Sequence, residues 1–108
     1  MADELTEQDF RVKADRAIEK AQHALMDLAD QEGIELDIQG GVLNIEFEDP
    51  SPMRFVVSPN APVRQIWVSA LVQSFKLSWS PDRDAFALDG ETLDALLLRL
   101  AKQHLGTG

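Results

Sequence analysis

At Gly33 the spacing of apolar residues changes from three-and-four to two, and that switch fixes the class of fold open to the chain. Before it, Phe10, Ala14, Ala17, Ile18, Ala21, Leu25 and Leu28 recur at helical intervals, which predicts one long amphipathic helix over residues 7–31. Thr6 is placed to cap it, with Asp9 three residues on, and Glu7 and Asp9 suit the positive end of the helix dipole. Gly33 is a natural stop.

After Gly33 the pattern is that of strands. Ile34, Leu36 and Ile38 alternate with Glu35, Asp37 and Gln39, and a second alternating run begins at Val42 after Gly40-Gly41. Two such runs around a glycine pair signal a hairpin. Prolines and Asn/Asp/Ser clusters then punctuate further runs, giving strands over about 34–39, 42–48, 53–58, 64–69, 75–79 and 85–88. Asp89 or a neighbour opens a second helix over 91–105, with Leu93, Leu96, Leu97, Leu100 and Ala101 on its apolar stripe. Helix, about six consecutive strands, then helix predicts an α+β two-layer sandwich. Both helices would pack on one face of an antiparallel meander sheet, in a single domain spanning 1–108.

Charge narrows the function. The net charge is −9, and residues 1–50 hold 14 acids against 4 bases. Residues 21–53 contain eight Asp or Glu and no Lys or Arg. A field of that sign repels nucleic acid and anionic membranes and attracts cations or basic proteins. With no cysteine, disulfides, thiolate metal sites and thiol nucleophiles are all excluded. A metal would have to be held by oxygen or by His23 and His104. No apolar run reaches the roughly 18 residues of a membrane span, and the first residues have no signal- or transit-peptide character, so the expectation is a cytoplasmic protein.

Several segments, taken in order, resemble the frataxin family in its short bacterial (CyaY-type) form. Residues 40–45 (GGVLNI) look like the family's glycine hairpin, and residues 62–69 (PVRQIWVS) are similar to its signature strand with a Gln-x-Trp core. Residues 75–79 (FKLSW) resemble the aromatic strand that follows, and residues 89–93 (DGETL) the start of the last helix. The resemblance covers about 10–105. It implies an accessory protein of iron–sulfur cluster assembly that binds iron (ferrous or ferric) weakly. It also implies contacts with a cysteine desulfurase and the scaffold protein, in the cytoplasm of a bacterium.

Two constellations could carry that role. Asp15, Glu19, His23, Asp27 and Asp30 lie on one side of the first helix at steps of three and four. Glu32 follows, and Glu35 and Asp37 project from the polar face of the first strand. These groups are expected to line the seam between helix and sheet edge. Carboxylate oxygen suits iron, magnesium and manganese, and exposed ligands on a convex surface imply weak, salt-sensitive binding. Where bacterial frataxins tend to place further acids mid-helix, this chain has Gln22, His23 and Met26, which implies fewer metal sites. The second constellation is a strand surface around Trp67. If Ile66 and Val68 face the helices, then Gln65, Trp67 and Ser69 face solvent beside Asn44, Glu46 and Lys76. An exposed indole is a frequent interface anchor. Trp79, in phase with Phe75 and Leu77, is assigned to the core.

No Ser/His/Asp set, phosphate-cradling glycine loop or His-x-x-x-His pair is present, so no enzyme is expected beyond a weak ferroxidase-like side activity. A monomer is expected, with oligomers on metal loading left open. A different reading of the same acids is an adaptor that binds a basic protein and has no metal role.

Overall fold

The computed structural model of the chain describes residues 5–106. Helix α1 (Glu7–Glu32) is capped by Thr6, whose Oγ1 accepts the Asp9 amide at 3.1 Å, and ends at Gly33 in the left-handed conformation. Strands β1 (Glu35–Gln39), β2 (Val42–Phe47), β3 (Met53–Asn60), β4 (Gln65–Ala70), β5 (Gln73–Ser80), β6 (Ala85–Leu88) and β7 (Glu91–Thr92) follow, and α2 (Leu93–Leu105) closes the chain. The sheet order is that of the sequence and every pair is antiparallel, the meander expected.

The sheet has seven strands where six were expected, because Asp89-Gly90 makes a hairpin rather than opening a helix. Both residues have positive φ, 51° and 85°, the pairing that two-residue hairpin turns demand. Leu88 then lies opposite Glu91, and Ala87 opposite Thr92. The second helix therefore starts two residues later than read from its leucines. Its cap is Thr92, which accepts the Ala95 amide, and not Asp89. At the other end of the sheet, Gly40 and Gly41 have φ of 58° and 81° and turn Gln39 back onto Val42. Between β3 and β4 a single 3-10 turn (Ala61–Val63) leads to Arg64, whose Nε donates to the Leu5 carbonyl at 3.1 Å and ties down the start of α1.

One face of the sheet is buried by the helices. Leu43, Ile45, Phe55, Val57, Ile66, Val68, Leu77 and Phe86 meet Phe10, Ile18 and Leu25 of α1 and Leu96, Leu97 and Leu100 of α2. Phe10 packs edge-on to Phe86 with ring centroids 5.7 Å apart. Burial of an aliphatic or aromatic side chain contributes about 1.5–3 kcal/mol, so this layer dominates the stability. No polar or charged residue is buried among the described residues. The opposite face of the sheet is open. None of the described helices is long and apolar enough to cross a membrane.

Candidate functional site: an acidic helix flank and an open sheet face

On α1 the buried residues form one stripe (Phe10, Ala14, Ile18, Ala21, Leu25, Ala29), which leaves Asp15, Glu19, His23, Asp27 and Asp30 exposed. Successive members are three or four residues apart, so their side chains are neighbours along the helix. Val12 and Met26 are exposed among them, 46% and 42% accessible, so the flank is acidic with apolar gaps. Asp15 reaches the β1–β2 turn: a Cβ on Gly41 would lie 3.8 Å from its Oδ1. Glu32 is exposed at the end of the helix.

Glu35 and Asp37 are exposed too, but they do not line the seam. Leu36 and Ile38 lie opposite Ile45 and Leu43 on the helix side, so alternation turns Glu35 and Asp37 to the open face of the sheet. There they stand across from Glu46 and Asn44. The expected ridge is thus divided by the edge of β1, with the six side chains carried by α1 separated from Glu35 and Asp37 on the far side. Among the described residues, no three His, Asp or Glu side chains gather closely enough to hold one metal ion. Nor are these acids neutralised from the second half of the chain. The four ion pairs among the described residues are Arg11–Glu7, Lys20–Asp94, Arg54–Glu46 and Arg99–Glu91. His104 is occupied elsewhere, its ring 4.8 Å from that of Phe47 and its Nε2 3.0 Å from the Ser51 carbonyl oxygen.

The open face brings the second constellation together. Trp67 lies opposite Lys76 on β5 and Ser58 on β3, and Ser69 lies opposite Val56, which in turn pairs with Asn44. The indole is 37% exposed, and its Nε1–H donates to Gln65 Oε1 at 3.0 Å. Lys76 Nζ sits over the ring, 4.8 Å from its centroid, a cation–π contact. Glu46 accepts from Arg54 at 3.1 Å. Arg54 was missed by reasoning from sequence, although its place opposite Glu46 follows once the β2–β3 register is known. Trp79 is half-buried rather than fully core: it packs against Phe86 with centroids 5.3 Å apart, while Lys13 Nζ covers its ring at 4.4 Å.

Comparison with known proteins adds to this geometry. Residues 3–107 match the family model for the frataxin-like domain. The iron-sulfur cluster assembly protein CyaY of Janthinobacterium sp. (strain Marseille) is 28% identical over 104 residues, covering 94% of this chain and 92% of that one. The protein of the same name from Pseudomonas aeruginosa is 32% identical over 93 residues, covering 82% of this chain and 84% of the relative. Among solved structures, the frataxin of Psychromonas ingrahamii superposes with a TM-score of 0.67 at 14% identity, over 92% of this chain and 90% of that one. That likeness speaks to the fold alone. With the family model matched over almost its whole length, the chain belongs to the frataxin-like family.

Proposed function

We propose that the chain is an accessory protein of iron–sulfur cluster assembly, which binds iron on the α1 flank and docks on a cysteine desulfurase and its scaffold protein. The observation that carries the reading is a run of exposed carboxylates on α1 with no ion-pair partner among the described residues. The family and the name of its relatives supply the pathway.

Asp15 with Glu19, and His23 with Asp27, are pairs one turn apart that offer two ligands from one helix face; Asp27 with Asp30 is a third. Such pairs fit an iron ion that keeps most of its water, and they do not fit a closed site. Weak, exchangeable binding suits a protein that senses or hands on iron. It assigns no catalytic residue. The same unpaired charge would meet a basic patch on the desulfurase, where complementary fields speed association and fix orientation. Trp67, flanked by Gln65, Ser69, Lys76, Asn44 and Glu46, would provide a second contact around an aromatic anchor.

The absence of any three-ligand cluster among the described residues favours a second reading, an acidic adaptor that binds its basic partner without metal. Binding to the desulfurase, measured with and without ferrous iron, tests the docking half. Reversing Asp27, Asp30 and Glu35 to Lys is expected to abolish complex formation. Unchanged affinity would remove the flank from the interface. Affinity indifferent to iron, with the reversal still effective, would select the adaptor.

A further inference from the structure

Three of the four bases of the first half share one hollow; the fourth, Arg11, is paired with Glu7. Lys13, Arg16 and Lys20 recur at steps of three and four along α1, beside the acidic flank, and face β5, β6 and the start of α2. They line a cavity of about 300 Å³, and Arg83, from the β5–β6 turn, joins them from the opposite wall. In a chain of net charge −9, four cations around one small hollow require a reason.

Two of the four are already engaged. Lys13 lies over the Trp79 ring, and Lys20 Nζ is 3.9 Å from Asp94 Oδ2. Arg16 and Arg83 have no ion-pair partner among the described residues. Arg83 is held in place by its neighbours: its backbone amide donates to the Ser80 carbonyl, and its guanidinium lies against the β6–β7 turn, 3.3 Å from where a Cβ on Gly90 would stand. Asp84 and Asp94 also line the cavity, so the balance there is two positive charges. Leu93 and Asp94 bring the first turn of α2 to the same wall, with the positive end of its dipole. The remaining wall is the half-buried Trp79, backed by the core residue Phe86.

We propose that this cavity binds a small phosphate-bearing anion, gripped by Arg16 and Arg83 beside the Trp79 wall. A guanidinium presents its donors as a planar fork that matches phosphate oxygens two at a time. Lys20 and the α2 amides add a point charge and a dipole of the same sign. The volume suits a small ligand and not a peptide segment. An anion here also relieves the mutual repulsion of the four bases. Asp84 and Asp94 oppose it, and the Asp94 carboxylate also competes for Lys20.

The test is a titration of the full chain with two magnesium-free probes, ATP and inorganic tripolyphosphate, followed by backbone amide shifts. Trp79 fluorescence in a Trp67→Phe background gives a second readout. Both probes are expected to shift the amides of Arg16, Lys20, Trp79, Arg83 and Leu93 and to leave the acidic flank unmoved. ATP binding tighter than tripolyphosphate would assign a flat ring to the Trp79 wall, and equal affinity would place phosphate alone in the cavity. The Arg16→Gln/Arg83→Gln pair, with unchanged circular dichroism, is expected to weaken binding about tenfold or more, as losing charge-assisted hydrogen bonds should. Asp94→Asn is expected to tighten it. Three results would overturn the proposal: no response to either probe up to about 10 mM, shifts that survive in the double variant, or tighter binding of a hexaglutamate peptide than of either phosphate compound.

Discussion

Glu35 lies directly across the β1–β2 ladder from Glu46, so two carboxylates occupy one cross-strand position on the open face of the sheet. Arg54, opposite Glu46 on β3, answers only one of them, at 3.1 Å. Like charges facing across strands destabilise a sheet, by about 0.2–1 kcal/mol relative to a neutral pair. The chain keeps this repulsion at the edge where its acidic surface begins.

Replacing Glu35 by Lys should therefore stabilise the fold by about 0.5 kcal/mol, more at low salt than at high. Thermal unfolding at two ionic strengths measures it. The same substitution is part of the charge reversal expected to abolish desulfurase binding, so stability and docking should move in opposite directions. A variant less stable than the parent would mean that Glu35 is not repelled by Glu46.

The β4–β5 hairpin turns through Leu71 and Val72, with φ of 53° and 62°. Valine is a poor occupant of that region, which costs an L-residue about 1–2 kcal/mol, and Val72 is fully exposed with nothing to compensate. Val72→Gly should relieve the strain. After the roughly 0.5–1 kcal/mol lost to glycine's greater freedom in the unfolded chain, the net gain is expected to be about 0.5 kcal/mol. Denaturant midpoints read it directly, and a loss of stability would contradict the turn geometry.

The two halves of the second-helix entry respond oppositely to pH. Arg99 donates to both carboxylate oxygens of Glu91, at 2.8 and 2.9 Å, and these hydrogen bonds hold its carboxyl below the ordinary glutamate value. A lowered folded pKa means stability that is present above the unfolded value of about 4.5 and is lost as pH falls through the lowered one. Asp94 has the opposite sign: burial raises its carboxyl, against the pull of Lys20, so its contribution is complete below the unfolded value and fades as pH rises through the raised one. Glu91→Gln should cost about 0.5 kcal/mol at pH 7, the scale of a partly exposed pair, and nothing once pH falls below the range of both carboxyl values. Urea titrations of parent and variant across that range check it, and a constant difference down to pH 2 would contradict the assignment.

Trp67 is exposed yet fixed, with its N–H on Gln65 and Lys76 over its ring. Trp67→Ala should leave the melting temperature close to that of the parent, because the core lies on the other face of the sheet. It should weaken desulfurase binding by about 2 kcal/mol, roughly 30-fold, if the indole anchors that contact. Calorimetric titration separates this from a structural effect, and unaltered affinity would take the open face out of the interface.

Much of this was legible in the sequence because local rules and the global fold agree. The Thr6 cap, the Gly33 stop, the Gly40-Gly41 hairpin and the outward turn of Trp67 each follow from one or two residues and a period. What escaped depends on where the elements lie relative to one another. The alternation of Glu35 with Leu36 put Glu35 on the polar face, but only the packing of Leu36 and Ile38 beneath the helices shows that this face looks away from Asp15 and Glu19. Asp89-Gly90 read as the start of a helix because a two-residue strand such as Glu91-Thr92 has no period to detect. The basic hollow was half visible: Lys13, Arg16 and Lys20 share a helix face, but Arg83 joins them from more than 60 residues away through a turn that only the fold positions.

Whether the exposed acids of α1 act together as a weak iron site is decided by a ferrous iron titration followed through backbone amide signals. Broadening should begin below millimolar iron at Asp15, Glu19, His23, Asp27 and Asp30, while Trp67 and Lys76 on the open face stay sharp. Silence along α1 at those concentrations, or broadening that starts on the sheet instead, would contradict it.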